Sequence, residues 1–259
     1  MQVSCIVLIL LRVTISDGWS WSTTPTRLGV IAAVTLGFAA VGHLVRGVSR
    51  SGAVAGAIVC FVLLTSVGPG SFVALLAVFI MTSTTTRMGW ARKQRLGTAE
   101  RGEGRTASQV LANLGIATLC AFFYAIRNQA WLLLAMAAAL AEAASDTVSS
   151  EVGQAFSEQA RLITTSERVP AGTDGGITFA GTVAGTAAAL GIGLVCWLTD
   201  VLPWRWLWIA GAAGALGMIA DSYLGACFER AGKLGNNVVN LLSTAIAALL
   251  ASCVVRLIS

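Results

Sequence analysis

Charged side chains and histidine are scarce in this chain. Only 11% of its 259 residues are charged, 56% are hydrophobic, and the mean hydropathy is +0.79. Soluble domains carry roughly 25% charged residues, so this composition excludes a soluble fold. The only histidine, His43, lies in an apolar run, and the six cysteines include no CxxC pair. A histidine triad, a zinc site and a disulfide framework are therefore disfavoured.

Long apolar runs, in contrast, recur along the whole chain. Eight runs approach the ~20 residues that cross a hydrocarbon core as a helix; they cover residues 28–45, 52–67, 71–88, 108–126, 131–149, 178–199, 207–228 and 238–258. The sequence therefore predicts an all-α protein, a polytopic transmembrane helix bundle with eight core spans. The connections 66–71 and 200–205 contain proline and predict tight external turns.

The N-terminal segment differs from these spans. Its apolar run, 3–15, is shorter and contains Arg12. We expect a short N-terminal helix with Trp19 and Trp21 at the membrane interface, and a cleaved leader is the alternative. The predicted division is an N-terminal segment, 1–27, followed by a single transmembrane catalytic domain, 28–259.

Basic residues concentrate in alternate loops. If the cluster that begins at Arg87 is cytoplasmic, alternation of the spans places Arg50, Arg161, Arg168 and Lys233 on the same side. Because lysine and arginine favour the cytoplasmic side, the long loops 89–106 and 153–177 are expected there, in a bacterial inner membrane or an equivalent one. The net charge of +5 follows these loops rather than one stripe, which argues against a nucleic-acid partner.

Carboxylates occur within and just after the apolar run 131–149. Glu142 and Asp146 are four residues apart and share a helix face, and Ser149 lies about one turn further on. Ionisable groups at membrane depth are expensive and by default mark a functional site. Paired carboxylates suit Mg²⁺, which binds one or two of them together with substrate phosphates. The alternative is that they only join helices. Glu151 falls on another side if the helix stays regular.

A second acidic position lies in the run 207–228. Asp221 is followed directly by Ser222, and the predicted topology brings it to the same membrane face as Asp146 and Thr147. Two aspartate and hydroxyl pairs could hold two metal ions, or one metal ion and a nucleophile. A buried contact between helices is the alternative for Asp221.

The loop between these two runs is rich in glycine. Gly172, Gly175 and Gly176 precede the run 178–199, whose helix N-terminus would present amide groups to a phosphate. The segment has no Gly-Lys-Ser/Thr of a Walker loop, so Arg161 and Arg168 are expected to provide positive charge. Alternatively, the glycines only shape a turn.

Amide side chains begin two further runs on the same side. They could bind a phosphate, a nucleobase or a backbone carbonyl, or only make hydrogen bonds between helices. The residues are Gln109 and Asn113, which follow Arg105, and Asn236, Asn237 and Asn240. Acidic, amide, hydroxyl and arginine groups at one membrane surface are typical of a site for a phosphorylated substrate with an apolar tail.

Six ordered motifs together resemble the transmembrane protein 19-like family of integral membrane proteins, whose plant member is a phytyl phosphate kinase. The motifs are GRTASQVLAN at 104–113, SDTVSSEVG at 145–153, RLITT at 161–165, VPAGTDGG at 169–176, DSYLGA at 221–226 and NNVVN at 236–240. The chain departs from the family pattern at Val148 and Ser149, where a Trp-Ala pair or similar is expected, and in its short loop before Asn236.

The resemblance implies a membrane-embedded kinase. It would transfer phosphate from a nucleoside triphosphate, with CTP favoured, to a prenyl monophosphate and give a prenyl diphosphate in a Mg²⁺-dependent reaction. Asp146, Asp221, Glu142 and Glu151 would be catalytic, and the first three would hold the metal. Substrate and nucleotide binding would use Arg105, Gln109, Asn113, Ser149, Arg161, Thr164, Thr165, Gly172, Thr173, Asp174, Gly175, Gly176, Ser222, Asn236, Asn237 and Asn240.

Two other kinds of protein fit the same polar face. A cytidylyltransferase-like lipid-phosphate transferase would also use Mg²⁺ and a lipid phosphate, but it would release pyrophosphate. A lipid or ion transporter would bind its cargo at carboxylates near the membrane midplane. The clustering of polar residues at one face, with no matching set in the outer half, favours the kinase.

Overall fold

The computed structural model describes residues 24–97 and 104–258. The predicted N-terminal helix, with Trp19 and Trp21, lies outside the described residues, as do residues 98–103 of the loop 89–106.

Eight long helices and one short helix occur in the described part of the chain. The long helices are α1 (Pro25–Leu44), α2 (Arg50–Ser66), α3 (Pro69–Arg87), α5 (Ala107–Arg127), α6 (Ala130–Phe156), α7 (Phe179–Leu198), α8 (Trp204–Leu224) and α9 (Asn236–Ile258), and the short one is α4 (Trp90–Leu96). Seven of the long helices are long and apolar enough to cross a membrane. The eighth, α2, has 17 residues, at the lower end of the usual range. The predicted all-α polytopic bundle is confirmed.

The helix α6 forms the centre of the bundle. It contacts α3, α5, α7, α8 and α9, and its alanine-rich middle is buried throughout. Small residues on its neighbours allow this close packing. A Cβ atom at Gly185 of α7 would lie 2.7 Å from the Ser145 carbonyl oxygen, and one at Gly214 of α8 would lie 2.7 Å from the Ala141 Cβ. The glycines therefore bring α7 and α8 against the acidic segment of α6.

Both predicted tight turns are present, and their external location stays a prediction. The turn between α2 and α3 is short because Gly68 adopts a φ of 113° and Pro69 begins the next helix. It packs on the turn after α7, where a Cβ at Gly70 would lie 2.8 Å from the Thr199 carbonyl oxygen. Because the helices alternate in direction, the polar connections that carry the candidate site lie at the opposite end of the bundle.

The connection between α6 and α7 is a small antiparallel sheet. Its strands are β1 (Gln159–Leu162), β2 (Arg168–Pro170) and β3 (Gly176–Ile177), in the order β2-β1-β3. The central strand β1 pairs Ala160 with Val169 and Leu162 with Gly176. This segment reads as a long loop in the sequence, because strands of two to four residues are too short to show a clear alternation.

A five-residue π-helical segment, Gly225–Glu229, continues α8 and meets this sheet. Gly175, with a φ of 74°, lies so close that a Cβ atom there would be 2.4 Å from the Ala226 Cβ. The turn 172–176 is thereby fixed over the polar end of α8. π-Helical turns of this kind often occur at functional sites.

Candidate active site

Two aspartates from neighbouring helices meet at the polar end of the bundle. Asp146 lies on α6 and Asp221 on α8, and their side chains are within hydrogen-bonding reach of each other. Ser243 of α9 donates a hydrogen bond from its Oγ to Asp221 Oδ2 at 3.0 Å. Two half-buried carboxylates at such a separation repel each other unless a proton or a cation lies between them. The pair is therefore a natural site for a cation.

Glu142 lies one helical turn deeper on α6 and is only 1% exposed. It interacts with both aspartates and with Ser243, and its Oε1 has no hydrogen-bond partner among the described residues. Gly217 of α8 leaves the space for it, because a Cβ there would lie 2.6 Å from Glu142 Cγ. Glu142 is thus packed behind the aspartates with one acceptor oxygen unsatisfied.

The two aspartates line a cavity of about 200 Å³ beneath the turn 172–176, which we refer to as the acidic cavity. Four carboxylates contribute to its wall, whereas the described lining contains no lysine or arginine. The lining residues are Asp146, Ser149, Ser150, Gly153, Gln154, Ala160, Ala171, Gly172, Thr173, Asp174, Gly175, Gly176, Ile177, Thr178, Asp221, Ser222, Gly225, Glu229 and Asn236. An anionic substrate would bind this wall only together with cations.

The glycine-rich turn forms the outer wall of the cavity. Gly172 and Gly175 have φ values of 90° and 74°, which L-residues with side chains rarely adopt. The turn is closed by hydrogen bonds from Thr173 Oγ1 to the Pro170 carbonyl at 2.8 Å and from Gly176 N to the Thr173 carbonyl at 2.8 Å. The glycines therefore have a conformational role here and also keep this wall free of side-chain bulk.

Asp174 is the carboxylate that the turn itself contributes. Burial raises the pKa of Asp174 above its ordinary value, and the nearby Arg230 guanidinium opposes this shift. The local environment therefore disfavours its negative charge, in agreement with an acidic wall that would be stabilised by a bound cation.

The donor atoms present fit Mg²⁺ bound together with phosphates. No cluster of three or more His, Cys, Asp or Glu side chains with metal-ligand geometry occurs among the described residues, so the cavity does not resemble an all-protein metal cage. Mg²⁺ commonly binds through one or two carboxylates and takes its remaining ligands from substrate phosphates and water. Asp146 and Asp221 supply the two carboxylates. The Oε1 of Gln154, which also lines the cavity, is buried without a partner in the described structure and offers a further acceptor.

Glu151 faces a different neighbour from the aspartates. The helix α6 stays regular to Phe156, and Glu151 forms a buried ion pair with Lys93 of α4. Lys93 is 1% exposed and also donates to the carbonyl oxygens of Thr85 and Thr86, both at 3.0 Å. In the structure, Glu151 therefore joins α4 and the end of α3 to α6.

Arg105 lies beside the aspartates but lines a second, largely apolar cleft. Its Nη2 donates to Thr147 Oγ1 at 3.3 Å, and its charge acts on Asp146. Asn113 lines the same cleft, and its Nδ2 donates to the carbonyl oxygen of Gln109 at 2.9 Å. Arg105 thus lies between the two cavities.

Comparison with known proteins identifies the family of this chain. The profile of the integral membrane protein family DUF92 matches residues 33–248, most of the chain. This chain belongs to the DUF92 integral membrane family. This match confirms the resemblance that the six motifs indicated. Two plant proteins, Protein VTE6 and Protein PGR, are among the relatives of the chain.

Relatives of this DUF92 protein occur in archaea and plants. An uncharacterized membrane protein of Methanocaldococcus jannaschii is 37% identical over 79% of this chain and 84% of its own length. In Arabidopsis thaliana, the chloroplastic Protein VTE6 is 29% identical over 80% of this chain and 65% of its own length. Protein PGR of the same plant is 31% identical over 75% of this chain and 77% of its own length. No solved structure matches the chain.

Several residues predicted for the site lie outside the acidic cavity of this DUF92 protein. Arg161 and Arg168 face each other across β1 and β2 and are exposed, and Arg161 donates to the Ser166 carbonyl at 3.0 Å. Gln109 caps α5 by accepting from Thr106 N at 2.8 Å. Four further residues are absent from the described lining of the cavity: Thr164, Thr165, Asn237 and Asn240.

The remaining predicted residues are brought together, with some that the sequence did not single out. Ser149, Gly172, Thr173, Asp174, Gly175, Gly176, Ser222 and Asn236 line the cavity beside Asp146 and Asp221. The additional residues are Glu229, Gln154 and Ser243. Glu229 comes eight residues after Asp221, a spacing of about two helical turns that could have signalled a shared face. Ser243 lies in an apolar run with no polar pattern around it.

Proposed function

We propose that this DUF92 protein is a membrane-embedded kinase that transfers phosphate from a nucleoside triphosphate to a prenyl monophosphate in a Mg²⁺-dependent reaction. The observation that carries the proposal is the acidic cavity at one end of the bundle, in which Asp146 and Asp221 meet under a glycine-rich turn. A wall with four carboxylates and no described basic residue suits a nucleotide bound with its cations.

The acceptor class comes from the family. The motifs resemble proteins that include a plant phytyl phosphate kinase, and a chloroplast protein is among the relatives. A prenyl phosphate also fits a site that lies where apolar helices end at a polar surface, since its chain remains in the bilayer and its phosphate reaches water. CTP is our first expectation for the donor, by analogy with other lipid-alcohol kinases.

In the proposed reaction, an oxygen of the prenyl monophosphate attacks the γ-phosphorus of the donor. The bond between that phosphorus and the β,γ-bridging oxygen breaks, so the products are a prenyl diphosphate and a nucleoside diphosphate. A bound Mg²⁺ would neutralise charge on the donor phosphates. The acceptor is a phosphate monoester with a second pKa of about 6, so it is already largely ionised near pH 7 and needs no strong general base. A chain with one histidine is compatible with this chemistry.

Individual residues have distinct parts in this mechanism. Asp146 and Asp221 would hold the metal, and Glu142 would support them from behind. The turn 172–176 would position the donor phosphates by its backbone. Arg105, which lies beside Asp146, is placed to neutralise charge that develops during transfer. Since Arg161 and Arg168 are exposed on the sheet, Arg105 is the arginine on which the proposed chemistry depends.

The test is a transfer assay with purified protein in detergent, Mg²⁺, γ-labelled CTP or ATP, and geranylgeranyl or phytyl monophosphate. We expect label in a lipid diphosphate, and a loss of at least about 100-fold in Asp146→Asn and Asp221→Asn, because each removes one of two metal-binding charges. Asp200→Asn is a matched control, since Asp200 lies in the turn at the other end of the bundle and its φ of 57° is tolerated by asparagine.

Each alternative gives a different product. Labelled pyrophosphate without labelled lipid would show a cytidylyltransferase and refute the kinase. If neither product forms with any acceptor, the proposed chemistry is wrong, and uptake or flipping of a lipid phosphate in vesicles becomes the relevant assay.

A further inference from the structure

A second cavity, of about 460 Å³, adjoins α6 at Ala143, one turn before Asp146 of the acidic cavity. Its wall is formed by α1, α2, α3 and α5, with apolar side chains that include Phe38, Leu75, Val78 and Leu114. We refer to it as the apolar cleft. Its volume is within the range of about 300–1,000 Å³ that is typical of small-molecule sites. An aliphatic chain would match the apolar part of this wall.

The cleft ends in a group of basic residues at the polar end of the bundle. Arg46, Arg87 and Arg105 all line it, next to Trp90, and the described lining contains no carboxylate. This is the reverse of the acidic cavity, which has four carboxylates and no described basic residue in its lining. A ligand of the cleft should therefore be apolar along its length and anionic at one end.

The basic end of the cleft is held by backbone contacts. Val48 and Arg105 form a parallel bridge, with hydrogen bonds from Arg105 N to the Gly47 carbonyl at 3.1 Å and from Ser49 N to the Arg105 carbonyl at 3.0 Å. Gly52 allows this approach, since a Cβ there would lie 2.0 Å from the Arg105 carbonyl oxygen. The turn after α1 and the start of α5 thus form one unit.

Arg46 in this unit has a left-handed backbone conformation. Its φ is 58°, a value that is uncommon for a residue other than glycine and costs about 1–3 kcal/mol. Arg87 donates a hydrogen bond to the neighbouring Val45 carbonyl oxygen and so contacts the same turn. Arg46, in the turn after α1, and Arg87, at the end of α3, therefore both line this end of the cleft.

The two cavities approach each other along α6. Ala143 lines the apolar cleft, and Asp146, one turn later on the same helix, lines the acidic cavity. Arg105 lines the cleft, donates to Thr147 Oγ1 and acts electrostatically on Asp146. A phosphate held by Arg105 at the end of the cleft would therefore lie next to the aspartate pair.

We propose that the apolar cleft is the acceptor site: it holds the hydrocarbon chain of an isoprenoid monophosphate, with the phosphate at Arg46, Arg87 and Arg105. The identity of the acceptor as an isoprenoid monophosphate depends on the proposed function, whereas the preference for an apolar chain with one anionic end comes from the cleft itself. On this assignment, the donor and the acceptor occupy different cavities and meet at Arg105.

Gly56 of α2 provides a test that fills the cleft without disturbing the backbone. It lines the cleft, and an added Cβ would meet nothing within 4 Å. The matched control is Gly115 of α5, where a Cβ also meets nothing within 4 Å and which is absent from the described lining. Leucine at either position also favours the helix relative to glycine, so both variants are expected to fold.

The measurement is equilibrium binding of radiolabelled geranylgeranyl monophosphate to the protein in nanodiscs, without nucleotide. We expect Gly56→Leu to weaken binding by about 10-fold or more and Gly115→Leu to change it by less than about twofold, because only the first occupies space needed by the chain. Arg46→Asn keeps a residue that tolerates a positive φ and removes the charge. It should weaken binding of the monophosphate by about 10-fold and leave binding of geranylgeraniol unchanged.

The outcomes separate this assignment from the proposed function. Equal behaviour of Gly56→Leu and Gly115→Leu, or no binding to the wild-type protein, would overturn the acceptor site. Equal loss of the phosphate and the alcohol in Arg46→Asn would overturn the role of the arginine. If the lipid phosphate binds as expected but no label is transferred in the kinase assay, the cleft assignment stands and the proposed function fails.

Discussion

Gly217→Ala is a small change with a large expected effect on activity. The new Cβ would lie 2.6 Å from Glu142 Cγ, 2.9 Å from Ala247 Cβ and 3.2 Å from the Ser243 carbonyl oxygen. Relief of the first contact to an ordinary 3.4 Å requires roughly 0.8 Å of movement. This movement must displace Glu142 or separate α8 from α6. Since Asp221 follows one turn later on α8, the pair of Asp146 and Asp221 should move as well.

The expected magnitudes follow from two opposing effects on stability. Overpacking of a close contact costs about 1–3 kcal/mol, while replacement of glycine by alanine within a helix stabilises it by about 1 kcal/mol. The net loss of stability should therefore be no more than about 2 kcal/mol. A displacement near 1 Å at a reacting centre can cost about 100-fold in rate. We therefore expect a folded protein with strongly reduced transfer.

The assay compares Gly217→Ala with Gly115→Ala, which has the same change in an open position. Thermal unfolding in detergent reports stability. The transfer rate and the thermal shift on addition of Mg²⁺ and CTP report the site, and the second readout does not depend on the acceptor. If Gly217→Ala matches Gly115→Ala in unfolding temperature, transfer rate and thermal shift, the tight packing of Glu142 behind the aspartates is not required, and the reasoning is refuted.

Three further predictions concern the surroundings of the site. Lys93→Met should destabilise the protein by about 3–5 kcal/mol because it leaves the Glu151 carboxylate buried without its partner, and adding Glu151→Leu should recover most of the loss in thermal unfolding. Burial raises the pKa of Asp174, so the stability that its protonated form contributes is present below the ordinary pKa and is lost as pH rises through the raised value. In a pH series, the melting temperature of Asp174→Asn should therefore decline less with rising pH than that of the wild-type protein. In a cysteine-free background, Glu167→Cys should react with an impermeant maleimide only after bacterial cells are opened, and Asp200→Cys should react in intact cells, if the candidate site faces the cytoplasm.

The helices could be predicted from the sequence because the bilayer leaves few options. Within hydrocarbon, a backbone must satisfy its own hydrogen bonds, so an apolar run near 20 residues is a helix almost by necessity. The structure places all eight predicted core spans in helices. The ends were less predictable. The helix α6 continues to Phe156, seven residues beyond the apolar run, because Glu151 and Gly153 in its polar last turns are buried and Glu151 pairs with Lys93 of α4.

The lateral contacts at the site could be predicted only in part. Alternation of the helices brings Asp146 and Asp221 to the same end of the bundle, but which sides of two helices face each other depends on packing of small residues such as Gly185 and Gly217. The sequence therefore predicted that the aspartates lie at the same end of the bundle, but not that they are in contact. For Arg161 and Arg168, proximity along the chain to the glycine-rich turn suggested a role at the cavity, but pairing of β1 with β2 leaves both side chains exposed.

The separation of charge between the two cavities indicates how a membrane protein could bind two unlike substrates next to each other. A nucleotide is polar throughout and arrives from water, whereas a prenyl phosphate brings a chain that is costly to expose to water. One shared pocket would have to suit both, and its carboxylates would repel the acceptor phosphate. Because the described lining of the acidic cavity has carboxylates and no arginine, and that of the apolar cleft has arginines and no carboxylate, each cavity would favour its own proposed ligand. The two phosphates, both anionic, would then need a cation where they meet, and Arg105 beside Asp146 is placed to provide that charge. It follows that Arg105→Gln should reduce the rate of transfer far more than it weakens binding of the acceptor, which Arg46 and Arg87 would also hold. A loss of rate no greater than the loss of acceptor binding would leave Arg105 with a binding role only.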